Sequence, residues 1–215
     1  GLVARYAKPL VLDDERLVPA SSLGQVATVA APPAALVFPR YKAGTSVAEV
    51  ALDPGWALLG LAAHATNLTA LSATALAWLG GLALACPARQ LTHGDARAAV
   101  TAIEPSAEGR GRPVEPAEVL PPITRDTTTV ALGDSLAVLH EPSGQVHVLN
   151  PSAAAMWCSA ARAGADGHDM ASVVGAVLDG LDTEDGERPD RAAVTATVDR
   201  LVRSGLLAAP APAVP

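Results

Sequence analysis

Few residues in this chain have types and spacing that could do chemistry. His93 stands two residues before Asp95, a spacing at which a carboxylate could orient an imidazole for general-base work. The same pair reads equally well as a helix start, with Asp95 at the positive end of the helix dipole. Two acidic clusters, Asp13-Asp14-Glu15 and Asp182-Thr183-Glu184-Asp185, lie among loop residues. Solvated loop charge accounts for them more simply than paired acid–base catalysis. Lys8 and Lys42 are the only lysines and neither lies in a glycine-rich turn, so no GxxxxGK[ST] phosphate cradle is present. GxGxxG and GxSxG are missing too. Cys86 and Cys158 have apolar neighbours and read as buried free thiols, not as a disulfide or a metal site. The five histidines, His64, His93, His140, His147 and His168, form no ligand cluster of the HExxH type. The expectation is therefore no catalytic residue, no metal and no cofactor.

Composition narrows the partners. Fifteen Lys and Arg against twenty-two Asp and Glu leave a net charge of -7. DNA affinity comes mainly from basic side chains neutralising phosphates, so nucleic acid is not an expected partner. Half of the chain is hydrophobic but only 3% is aromatic, so the core must be built from Ala, Val and Leu. No Asp, Glu, Lys or Arg lies between Asp53 and Arg89. Trp56 to Ala65 is too short to span a bilayer, and Ala70 to Cys86 sits near the lower limit and is diluted by Ser72, Thr74 and Gly80-Gly81. Two buried helices are the expectation there, with no membrane partner. The free thiols and the lack of a signal peptide point to the cytoplasm.

The elements that must position any site fall into two parts. Residues 1–104 form an α/β segment. Its expected strands are Gln25 to Ala30, Ala34 to Phe38, Val47 to Leu52 and Arg89 to Leu91. Its expected helices run from the Asp53-Pro54 start to Ala65, from Ala70 to Ala85, and from Gly94-Asp95 through Ile103. Residues 105–122 are rich in Pro, Gly and charge and read as a linker. Residues 123–209 read as three strands and then three helices, and 210–215 as a flexible tail. The strands are Thr127 to Leu132, Leu136 to His140 and Gln145 to Leu149, with Glu141-Pro142-Ser143-Gly144 as a hairpin loop. The helices run from the Asn150 cap to Ala163, from Asp169 to Leu181 and from Asp190 to Arg203, with a charged loop over Asp182 to Arg188. The fold class expected is α+β, with a C-terminal winged-helix-type module after the N-terminal α/β segment.

Within that module, Val146-His147-Val148-Leu149-Asn150-Pro151-Ser152-Ala153-Ala154-Ala155-Met156-Trp157 is a strand ending in Leu-Asn followed by a helix with small residues and a Trp. Gly164 to Leu178 supplies a turn and a second helix, and Val198 to Leu207 a helix ending in Gly-Leu-Leu. This ordered set, over about eighty residues, resembles the PqqD family of precursor-peptide-recognition elements; the acidic loop before the third helix is a departure from it. The resemblance implies binding of the leader of a ribosomally made precursor peptide and its delivery to a modifying enzyme. An extended peptide would add as a strand beside Gln145, Val146, His147, Val148 and Leu149. Val194, Val198 and Leu201 of the third helix would either offer it an apolar wall or pack the core.

The N-terminal part has its own resemblance. Arg5-Tyr6-Ala7-Lys8-Pro9-Leu10, Ala35 to Tyr41, Trp56-Ala57-Leu58-Leu59 and Gln90 to Asp95 resemble the later half of HPr-kinase-like proteins. In that family the phosphate loop precedes such a segment. The chain opens on Gly1 without that loop, so this part reads as a degenerate scaffold or as a fragment. The first functional reading is a peptide-binding adaptor. An alternative is part of a peptide-modifying kinase whose nucleotide-binding half is missing. A third, a winged-helix DNA binder, is disfavoured because Arg191, Arg200 and Arg203 are balanced by Asp190 and Asp199.

Overall fold

A computed structural model of the chain describes residues 10–12, 15–17, 32–65, 68–103, 113–166, 168–180 and 190–208. The chain divides into two compact units, 1–32 and 33–215. In the first, β1 (Leu10–Leu12) and β2 (Glu15–Leu17) pair antiparallel. The strand expected over Gln25 to Ala30 lies outside the described residues, as do both acidic clusters apart from Glu15.

The second unit is mixed α and β. Its first sheet has the order β3-β5-β4, from β3 (Leu36–Tyr41), β4 (Ala48–Leu52) and β5 (Ala88–His93), with β3–β5 parallel and β4–β5 antiparallel. The parallel pair needs a long crossover, supplied by α1 (Pro54–Ala63) and α2 (Leu68–Ala85). Asp53 caps α1, its carboxylate accepting from Trp56 N at 2.9 Å, and Pro54 occupies the first turn. The start of α3 (Ala96–Ile103) answers the His93–Asp95 question, because Asp95 Oδ1 accepts from Arg97 N at 2.7 Å. Asp95 thus caps a helix and makes no bond to His93, whose buried Nδ1 has no partner among the described residues.

The second sheet is fully antiparallel, in the order β6-β7-β8-β9, from β6 (Val119–Leu120), β7 (Thr127–Leu132), β8 (Ser135–His140) and β9 (Gln145–Leu149). Gly133, at φ 63, opens the two-residue β7–β8 loop, and Gly144, at φ 69, ends the β8–β9 loop. Three helices follow: α4 (Pro151–Ala165), α5 (Met170–Gly180) and α6 (Arg191–Arg203). Asn150, Asp169 and Asp190 each accept a backbone N–H at the corresponding helix start. Gly205, at φ 78, ends α6 in a Schellman motif, with Leu206 N on Leu201 O and Gly205 N on Val202 O, both at 3.0 Å.

Both faces of this second sheet are covered. On one, Val138 and Leu149 share a core with Trp157, Val173, Val177, Val194, Val198 and Leu201 of α4–α6. Trp157 is wholly buried, and its indole N–H donates to Leu206 O at 2.9 Å. That bond joins the Trp of α4 to the Gly-Leu-Leu segment after α6, 49 positions apart. On the other face, Val130, Leu132, Ala137 and Leu139 share a core with Ala57, Leu58, Leu76 and Ala77 of α1 and α2.

Residues 113–122, expected as linker, are part of this packing. Ala117 N donates to Ala77 O at 2.8 Å, and β6 extends the sheet beside β7. A Cβ on Gly81 would collide with the Glu115 carbonyl, and one on Gly80 would lie 3.0 Å from Ala117 Cβ. The glycine pair is where the chain crosses α2 at close range. The two parts expected as separate domains therefore share a core across the sheet. Composition hides this, because proline and charge look the same in a linker and in an extended segment held by a neighbour.

Among the described residues, α2 is the one helix long and apolar enough to cross a membrane, with mean hydropathy 1.6 over 18 residues, of which 33% are buried in the chain. It begins two residues earlier than expected and kinks at Ser72, at φ 42. The Ser72 hydroxyl donates to Glu141 Oε1 at 2.7 Å, tying the kink to the β8–β9 loop.

Candidate functional site

β9 is the outer strand of its sheet. Which of its backbone groups are free follows from the ladder. Ala131 N donates to Glu118 O on the β6 side, and Glu141 N donates to Asp126 O on the β7 side. Antiparallel pairs alternate between bonded and non-bonded positions. Val130 and Leu132 therefore bond to β8, and Leu136, Val138 and His140 of β8 bond to β9. Their register partners on β9 are Leu149, His147 and Gln145. The N–H and C=O groups of Val146 and Val148 are left pointing away from the sheet.

They point into a groove of about 780 Å³. Val146, His147, Val148 and Leu149 form its floor, and Thr197, Arg200, Leu201 and Ser204 of α6 form one wall. Asp53, Gly55, Trp56 and Leu59 at the start of α1 form the other. The α1 wall is close, since a Cβ on Gly55 would stand 2.9 Å from Val148 Cγ1. Side chains alternate along β9. Val146 and Val148 pack with the α1–α2 core, while Leu149 packs with the α4–α6 core. His147 shares the Leu149 face.

Of the residues singled out from sequence, the structure brings Val146, His147, Val148, Leu149 and Leu201 together in the groove. Gln145 lies one step outside it, next to the hairpin loop. Val194 and Val198 are 0% exposed and belong to the core under α6. Val198 instead borders a smaller cavity of about 350 Å³ with Ile123, Val173 and Leu207. The residues missed are Thr197, Arg200 and Ser204, together with the α1 wall. Thr197, Arg200 and Ser204 recur at i, i+3 and i+7, a polar line beside the apolar face of α6, and that spacing was a readable signal. The α1 wall had no local signal.

The groove holds little chemistry. Arg89–Glu49, at 2.9 Å, is the one ion pair among the described residues, so Arg200 has no carboxylate partner there. Both cysteines are free, and burial pushes both thiols up. His147 Nε2 is buried with no hydrogen-bond partner among the described residues. Burial first, and the charge of His140 second, hold the His147 imidazole below the ordinary 6.5. When the folded pKa is depressed, the unfolded chain takes up the proton first. Stability is then full above about 6.5 and falls as pH drops toward the folded pKa. The melting temperature should fall between pH 7 and pH 5, and His147→Phe should flatten that slope. An unchanged slope in the variant would assign it to another group.

The chain matches no family model, no curated protein and no solved structure.

Proposed function

We propose that the chain is a peptide-binding adaptor. In this reading it takes the leader of a ribosomally made precursor peptide as an added strand on β9 and presents it to a modifying enzyme. One observation carries the proposal: the outer strand of the sheet turns the backbone groups of Val146 and Val148, unpaired among the described residues, into a groove with walls on both sides. An open strand edge is a template for another strand, and most soluble proteins blunt or cover such edges. Here β9 carries no Lys, Pro or acidic residue to discourage pairing. The resemblance of 123–209 to PqqD-type elements supplies the class of peptide, and its three strands followed by three helices fit a winged-helix-type module. Among the described residues no groove hydroxyl is hydrogen-bonded to His147, whose Nε2 has no partner, and that suits binding better than catalysis.

The test uses the full chain and synthetic leader segments taken from short reading frames beside its gene. On binding, amide exchange at Val146 and Val148 should slow markedly. His147 and Leu149, already bonded to β8, should change little. Binding that protects α5 or β3 instead, with no change at Val146 and Val148, would show that the peptide docks elsewhere.

A further inference from the structure

We infer that the α1 wall makes the N-terminal part a determinant of which peptide is accepted, and that the groove selects an extended segment reading apolar–acidic–apolar. This rests on strand addition at β9 as proposed above.

The inference follows from pleat geometry and from what stands on each wall. In an antiparallel pair, residues directly opposite each other point their side chains to the same face. Peptide residues opposite Val146 and Val148 would therefore aim at α1, since Val146 and Val148 themselves pack on that side. The peptide residue between them, opposite His147, would aim at α6.

The two walls differ chemically. On the α1 side stand Leu59 and Trp56, the latter 64% exposed although it is among the largest apolar side chains of the chain. Asp53 lies on the same side with its carboxylate engaged as the helix cap, which adds negative charge and disfavours an acid there. Apolar side chains would cover Trp56 and remove its surface from water. On the α6 side stands Arg200, exposed and without an acidic partner among the described residues. A carboxylate on the central peptide residue would complete a charge-assisted pair with its guanidinium. Thr197 and Ser204, on the same line of α6, already donate their hydroxyl protons to Ala193 O and Leu201 O, so the guanidinium is the charged donor on that wall.

The experiment selects binders to the full chain from a displayed library of random heptapeptides, then repeats the selection on Trp56→Ala and Arg200→Glu. Both positions are exposed, so both variants should melt like the parent. Peptides enriched on the parent should share an apolar–acidic–apolar triplet. Arg200→Glu should exchange the central acid for Lys or Arg and weaken the parent's best peptide by at least about tenfold. Trp56→Ala should relax the flanking positions and leave the central preference in place. Peptides that need the β9 edge, shown by loss of binding on blocking Val146, but are indifferent to both changes would overturn the two-walled reading while strand addition stands. If no enriched peptide depends on the β9 edge, strand addition and the two-walled reading fall together.

Discussion

Val198→Asp should abolish the cooperative thermal unfolding of the chain. Val198 is 0% exposed and packs with Trp157, Val173 and Leu201 beneath α6. An aspartate there has no basic partner within the cluster, so folding must bury an unpaired carboxylate or raise its pKa at equivalent cost. Changes of this class cost about 4 kcal/mol or more, against a total stability of about 5–15 kcal/mol for a typical domain. Val198→Ala, which leaves a small cavity, should cost only about 1–3 kcal/mol and keep a sharp transition. Circular dichroism melts of the two variants beside the parent are the measurement. A Val198→Asp protein that melts like the parent would mean that Val198 opens onto the groove and that the core lies under a different face of α6.

The placement of Val198 illustrates which parts of the molecule were legible in its sequence. Local chemistry was. Asp53, Asn150 and Asp190 cap helices where a short polar side chain precedes an apolar run, and Gly133 and Gly144 mark the two hairpin loops. The bounds of β7 and β9 follow from those turns. What stayed hidden depends on partners distant in sequence. β6 is two residues long and exists because β7 lies beside it. Gly80-Gly81 reads as polar dilution of a hydrophobic helix, yet its role is to let Glu115 and Ala117 pass. The kink at Ser72 has its partner at Glu141, 69 positions on.

The site was legible to the same degree. The strand was found because a glycine-bearing hairpin loop precedes it and a helix cap follows it. On α6, a 3.6-residue period identified an apolar face but could not say which edge of that face meets the core and which meets the groove. Val194 and Val198 fell on the core side, Leu201 at the boundary, and the polar neighbours Thr197 and Arg200 in the groove. The α1 wall is supplied by residues some ninety positions before β9, and no periodicity connects them. Trp56 looked like one more apolar residue of a buried helix, and its 64% exposure is visible only once α1 is placed against β9.

Val146→Pro should leave the fold intact and weaken peptide binding by about tenfold or more. Proline removes the backbone donor and fixes φ near the extended range. At most strand positions this would break the sheet, but the ladder places the Val146 N–H on the outer side of β9, where proline is tolerated. The residue before it, Gln145, is already extended, as a residue preceding proline prefers. The folded chain therefore loses no β8–β9 bond, and only part of the Val146 side-chain packing against the α1 side. A peptide strand loses one of its backbone bonds and meets the proline ring where an N–H stood. One lost bond with its unpaired acceptor costs about 1–3 kcal/mol, and about 1.4 kcal/mol is a tenfold change in Kd. His147→Pro is the matching contrast. Its N–H faces β8, so that variant should destabilise the sheet itself and show it in the melt. The two proline variants separate edge from ladder. If Val146→Pro melts early and His147→Pro does not, the bonded and free positions along β9 are interchanged, and Val146 has no donor to offer the peptide. If Val146→Pro stays folded and binds leader segments as tightly as the parent, the peptide does not add to this edge.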